Sequence, residues 1–269
     1  MKLSLSISPC PNDTFMFDAM INGRVDTEGL EFDVRFADIE ELNRGLSGNN
    51  PPEISKASYA VYPLIKNRYA ILDSGSALGQ SNGPLLVTAD EEADITDYSM
   101  RIAIPGIHTT ANLLMERLYP HLIQKYPFLF SDIMDKVGAG VCDAGVLIHE
   151  GRFVYHKKGL FLLSDLGLEW EKATGLPLPL GAILASRQLP GEVGEKVDRV
   201  LRRSIEYALT HPGESTEFVR SHAQEMDPEV IEKHISLFVN GYSLSLGEKG
   251  RESVYRLLNL EKTESLFRA

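Results

Sequence analysis

The sequence predicts an α/β protein folded as two lobes, with the chain crossing between them twice. Three observations predict it. Short stretches in which apolar and polar residues alternate, the period of a half-buried strand, are separated by stretches with helical spacing. The alternation lapses over an acidic segment at 90–97 and restarts at residue 101, as a second unit would. A proline-rich segment at 176–180 precedes one more strand, and everything beyond it is helical. Strands alternating with helices imply mostly parallel sheets covered on both faces. The expected lobes are 1–90 plus 181–269, and 91–180, and a chain of 269 residues is long enough for both.

Leu3, Leu5 and Ile7 alternate with Ser4, Ser6 and Ser8 as the first strand. Pro9 and Pro11 stop it, and Asn12, Asp13 or Thr14 is expected to cap a helix ending near Gly23. Phe32, Val34 and Phe36 alternate as the second strand, and Asp38, with Glu41 three residues on, opens a helix in capping-box style. A strand at 54–57, Ser58 as N-cap and a helix at 59–66 carrying Pro63 follow. Further strands are expected at 69–73 and 84–89, with a glycine-punctuated loop at 75–83 between them. In the second unit the expected strands are 101–104, 128–130, 144–148 and 159–163. Pro105-Gly106 breaks the first of these, Thr109 opens a helix through Tyr119, and Ser131 caps another ending at Gly138. The last strand is 180–186. Val193, Val197, Val200, Leu201, Ile205 and Ala208 then recur at helical spacing, with two or three more helices to follow.

Composition narrows the function classes. Hydrophobic residues make up 43% and charged residues 24%, which excludes a disordered chain. A formal charge of −11 argues against nucleic acid or an anionic membrane as partner, while an anionic small molecule responds to local donors instead. No window approaches the ~18 apolar residues of a membrane span. The N-terminus, interrupted by serines and prolines, lacks the apolar core of ~7–15 residues that a secretory leader needs. Cys10 and Cys142 are too few and too far apart for a disulfide framework, and the expected compartment is the reducing cytoplasm. No Walker loop or GxSxG elbow occurs. Gly138-Ala139-Gly140 is followed by Asp143 where a dinucleotide fingerprint needs its third glycine, and His149-Glu150 by Phe153 where HExxH needs its second histidine. Neither a metal site nor a tightly held cofactor is indicated.

Three polar clusters lie just beyond strand ends, where open α/β sheets bind ligands. In SPCPNDT at 8–14, a turn and a cap account for Asn12 and Asp13, but two prolines around Cys10 are less usual, so Cys10 and Asn12 are candidate binders. Lys56-Ala57-Ser58 is the second cluster and Gly106-Ile107-His108-Thr109-Thr110 the third. Each sets hydroxyls and backbone N–H groups at a helix N-terminus, a cradle for a carboxylate or a polyol oxygen. An ordinary N-cap accounts for either one alone; the two together favour binding. His149 follows the apolar run 144–148 and is expected at a strand's carboxyl end. An imidazole, with its pKa of ~6.5, is a competent general base there. His108 is the weaker competitor, and His121, His156, His211, His222 and His234 read as structural or exposed. Glu150, if it continues the strand, points to the opposite side from His149.

SPCPNDTFMF at 8–17, KASYA at 56–60, GPLLV at 83–87, IPGIHTTA at 104–111 and AGVLIHEGR at 144–152 occur in this order along the chain. Together they resemble the 1,4-dihydroxy-6-naphthoate synthase family, which serves the futalosine route to menaquinone. The resemblance implies a two-lobed fold like the type II periplasmic binding proteins, with a ligand cleft between the lobes. It also implies a cytoplasmic lyase, with no cofactor, that cleaves cyclic dehypoxanthine futalosine into the dihydroxynaphthoate and dihydroxyacetone. Carried over by motif, His149 would be the catalytic base, and Lys56, Ala57, Ser58, Thr109 and Thr110 would bind the substrate. Three alternatives stay open: the related chorismate dehydratase of the same pathway, a noncatalytic solute-binding protein of this architecture, and an effector-sensing module. The absence of a basic helix-turn-helix segment counts against the last.

Overall fold

Alternation at the N-terminus produces β1 (Lys2–Ile7), in which Leu3, Leu5 and Ile7 are fully buried. In the computed structural model, which describes residues 1–223 and 227–268, the chain divides into two units. One is Met1–Leu78 together with the chain from Pro179 onward; the other is Gly79–Leu178. The first unit continues with α1 (Pro11–Ile21), β2 (Glu31–Phe36), α2 (Ile39–Gly45), β3 (Ile54–Ser58), α3 (Tyr62–Ile65), β4 (Tyr69–Ile71) and β5 (Ala77–Gly79). The second holds β6 (Leu85–Thr88), β7 (Ile102–Ile104), α4 (Thr110–Leu118), β8 (Lys125–Pro127), α5 (Ile133–Gly138), β9 (Ala144–Leu147), α6 (Gly151–Val154), β10 (Phe161–Asp165) and α7 (Leu166–Thr174). The chain then returns through β11 (Leu178–Ser186) to α8 (Gly191–Thr210), α9 (Thr216–His222), α10 (Pro228–Phe238), α11 (Gly241–Leu244) and α12 (Gly247–Leu258).

The first sheet has the order β2-β1-β3-β11-β4, with β5 added to β11. Its strands β2, β1 and β3 are parallel, whereas β11 runs antiparallel to β3 and β4, pairing Ala182 with Ala57 and Leu184 with Ile71. The second sheet has the order β10-β6-β9-β7-β8, and here β6 runs against both β9 and β10. On each of these five-strand paths four strands thus share one direction, as mostly parallel sheets require, and a single strand is reversed. The reversed members, β6 and β11, are the first strands laid down after each change of unit. Strand direction depends on the end from which the chain enters a sheet, which local alternation does not encode.

The changes of unit fall at 78/79 and 178/179. The acidic segment 90–97 belongs wholly to the second unit, where its carboxylates close turns. Asp94 accepts from the backbone N–H and hydroxyl of Thr96, and Asp97 from those of Ser99, at 2.7–2.9 Å. The loop expected at 75–83 contains the short β5. Among the described residues no helix is long and apolar enough to cross a membrane.

The core of the first unit joins β1 to α1 and α8 through Leu3, Leu5, Phe15, Met16, Val197, Leu201 and Ile205. Residues 11–20 of α1 are all buried, so this helix has no solvent face. It is stitched to α8 by a hydroxyl. Ser204 donates to the Met16 carbonyl at 2.7 Å and accepts from the Met20 N–H at 3.1 Å, inserting itself into the helix's own ladder. In the second unit Leu85, Val87, Ala103, Ile133, Val137 and Leu147 form a separate core.

Candidate functional site

Helix α1 begins at Pro11, with Cys10 as N-cap and no side-chain cap. The expectation that Asn12, Asp13 or Thr14 caps it is corrected, because proline, with its fixed φ and missing N–H, suits the first helical position and moves the start upstream. Released from capping, Asn12 and Asp13 turn inward. Asp13, fully buried, accepts from the Ser8 hydroxyl at 2.8 Å and the Ser8 N–H at 3.4 Å through one oxygen. Its other oxygen accepts from the Asn12 amide at 2.9 Å and from the Lys56 ammonium at 2.5 Å. Lys56 is itself buried, so this is an ion pair out of water, held by further hydrogen bonds as such pairs must be. The Asn12 carbonyl oxygen lies 3.0 Å from Nε2 of the buried His234 on α10.

Lys56, Ala57 and Ser58 all lie in β3, which runs one residue further than expected, and Ser58 does not cap the turn that follows. The Ser58 N–H donates to Asn43 Oδ1 at 2.8 Å and Asn43 Nδ2 donates back to its hydroxyl at 3.0 Å, tying β3 to α2. Facing Ser58 on β11 is Gly181. A Cβ at Gly181 would fall 2.8 Å from Lys56 Cε and 3.2 Å from the Ala57 carbonyl, so glycine there is what lets the lysine stem pass. The structure thus brings Cys10, Asn12 and Lys56 together at the head of α1. Sequence reasoning placed Ser8 and Asp13 in the first cluster without a role in the site, and it missed Asn43 and His234 as members. For His234 a signal existed: Val230, Ile231, His234 and Phe238 share one buried helical face.

In the second unit Thr109 is the N-cap of α4. Its hydroxyl accepts from the Asn112 N–H at 3.3 Å and donates to the Gly106 carbonyl at 2.8 Å. Gly106 adopts φ +153°, a conformation that only glycine takes readily, and this sharp step from β7 delivers both threonines to the helix head. Thr109 and Thr110 are buried, and His108 just before them is half-buried. Helix α4 is long enough for its dipole to favour an anion at this end.

His149 stands two residues beyond β9, in a turn rather than in the strand, so the alternation that would send Glu150 to the opposite side does not apply. The backbone of His149 is left-handed, φ +55°, and its ring meets Phe130 edge-on at 4.8 Å and 66°. Arg152 anchors the segment that follows. It donates to the Gly83 carbonyl at 2.7 Å and to Asp165 at 3.1 Å, and Asp165 in turn caps α7 through the Gly167 and Leu168 N–H groups. The HEGR motif is thereby pinned to the start of β6 and the end of β10. Among the described residues no group of three His, Cys, Asp or Glu side chains is placed to hold a metal ion.

Comparison with known proteins gives consistent findings. A family model described as menaquinone biosynthesis matches residues 3–262. A protein of Thermus thermophilus named 1,4-dihydroxy-6-naphtoate synthase is 44% identical over 256 residues, covering 95% of this chain and 92% of that one. A protein of the same name from Streptomyces coelicolor is 41% identical, covering 99% and 95%. The crystal structure of protein AF1704 from Archaeoglobus fulgidus matches with a TM-score of 0.90 at 34% identity, covering 96% of each chain. A Candida albicans protein with the generic periplasmic binding protein fold matches with a TM-score of 0.69 at 12% identity, covering 99% and 93%, a likeness of fold alone. The two-sheet architecture is that of the periplasmic binding proteins.

Proposed function

The chain belongs to the menaquinone biosynthesis family, and from that premise we propose that it is a cytoplasmic carbon–carbon lyase that converts cyclic dehypoxanthine futalosine to 1,4-dihydroxy-6-naphthoate and dihydroxyacetone. Its relatives' shared name supports the reaction, and two buried thiols outside any disulfide suit the compartment. The cleavage ends in an aromatic ring and moves protons without net redox, so the central requirement is a base. His149 takes that role, removing a carbon-bound proton from the sugar-derived part of the substrate. A positioned base of this kind contributes ~10²–10⁴-fold.

One observation carries the assignment. His149 holds φ +55°, a left-handed backbone that is uncommon for residues with side chains and that clusters at active sites where the surroundings enforce it. The buried hydroxyl of Thr109, with Thr110 beside it, offers a cradle for a substrate oxygen at the head of α4. Lys56, Ala57 and Ser58, with Asn12 and Cys10, supply the second set of binding groups. The test is to incubate the purified protein with cyclic dehypoxanthine futalosine and follow the aromatic product by absorbance. Turnover supports the lyase. Binding without turnover would indicate a solute-binding protein, and turnover of chorismate instead would indicate the dehydratase.

A further inference from the structure

We infer that His234, on α10, is a positioning residue for the binding groups at the head of α1, acting on Lys56 through Asn12 and Asp13. The inference rests on the lyase reading, which places Asn12 and Lys56 in the binding machinery. Its basis is a continuous chain of buried polar groups drawn from three elements. Asp13 carries a negative charge balanced by Lys56, and all four of its close partners, Ser8 N–H, Ser8 O–H, Asn12 N–H and the ammonium, are donors. Because the Asn12 amide nitrogen is committed to Asp13, its carbonyl oxygen is the atom that faces His234, 3.0 Å away. A carbonyl oxygen only accepts, so Nε2 of His234 carries a hydrogen and donates it.

That donation decides which way the Asn12 carboxamide points. Turned over, the amide would set an N–H against the N–H of His234 and a carbonyl oxygen against the Asp13 carboxylate, two repulsions between buried groups. Asn12 and Lys56 share the same oxygen of Asp13, so the direction of one bond constrains the other. Donation to Asp13 takes one of the three ammonium hydrogens of Lys56, and the others stay available for an oxyanion of the substrate. His234 thus fixes the direction of a cation that it does not touch. The imidazole is in turn seated by Phe238, with ring centroids 4.9 Å apart.

Two variants separate donation from packing. His234→Phe keeps a ring of similar size without the donor, and His234→Gln keeps an N–H. With cyclic dehypoxanthine futalosine, His234→Phe is expected to raise KM about tenfold with kcat within about threefold, the pattern of binding lost equally from the ground and transition states. His234→Gln is expected to bring KM back to within about threefold of the parent. A parental KM with only a lowered Tm in His234→Phe, or no recovery in His234→Gln, would overturn the assignment. A second readout needs no substrate. In protein labelled with ¹⁵N-histidine, the Nε2–H resonance that disappears in His234→Gln is expected to shift in Lys56→Gln, and an unmoved resonance would show that the chain is not coupled. Were the parent inactive on this substrate, the lyase reading would fall, while a shifted resonance would still support the positioning chain.

Discussion

The left-handed backbone at His149 leads to an expectation that separates the turn from the chemistry. A β-branched residue is the poorest fit to φ +55°, so His149→Val is expected to lose about 1–3 kcal/mol of stability. Glycine accepts that backbone, and its greater freedom in the unfolded chain offsets the relief, so His149→Gly stays within about 1 kcal/mol of the parent. Urea denaturation measures both, and equal losses would mean that the turn is not enforced. At the head of α4, Thr109→Ala removes a cap worth about 1 kcal/mol. If the hydroxyl also holds a substrate oxygen, KM rises roughly tenfold, or ~1.4 kcal/mol of binding, beyond what that local weakening explains. A normal KM with a lower Tm would leave Thr109 as a cap alone. Thr109 was legible in the sequence because a threonine after a Pro-Gly break can do little else. The buried face that carries His234 was legible, but the roles of Asp13 and His234 were not, because what they do depends on partners 43 and 222 residues away along the chain.

At the scale of elements, Arg152 holds the His149 turn to its surroundings. Its two bonds, to the Gly83 carbonyl and to Asp165, connect α6 to the start of β6 and the head of α7. Arg152→Met would leave the Asp165 carboxylate with its backbone donors but without its cationic partner. The expected outcome is a lower Tm together with a fall in kcat larger than any change in KM, because the base is displaced while the threonine cradle is intact. A rise in KM alone, read from initial rates, would contradict this. The strands whose alternation is strict, β1 and β2, were legible to within a residue or two. Elsewhere the pattern was thinner: β5 is hidden among glycines, and β8 sits at 125–127, ahead of the expected 128–130, because its pairing with β7 and not its composition defines it. The start of α1 was misplaced because capping residues and proline compete for the same turn.

For the whole molecule, the surplus of carboxylates makes stability a matter of acid. The hydrogen bonds from Arg101 hold the Asp143 carboxyl below its ordinary value of 3.8, and those from Arg199 do the same for Glu28. Such a group contributes stability that is present above its unfolded value and lost as pH falls through the lower folded one. Burial pushes Asp38 and Asp198 the opposite way, and they oppose folding less as they protonate. Asp143→Asn is therefore expected to lower stability at pH 7 and to flatten its decline below pH ~4, read from denaturation midpoints across that range. An unchanged acid limb would mean that the pair with Arg101 contributes nothing. A two-unit plan was legible in the rhythm of strands and helices, but the lapse at 90–97 lies inside the second unit and not at its boundary. The reversed β6 and β11 were not legible, since direction is a property of the sheet. The central claim is that His149 is the base of a lyase reaction, and chemical rescue tests it most directly. His149→Gly suits the backbone, leaves room for a free imidazole, and should lose at least ~10²-fold in kcat on cyclic dehypoxanthine futalosine. Added imidazole should restore turnover in proportion to its unprotonated fraction; a His149→Gly protein that turns over at the parental rate without imidazole would contradict the account.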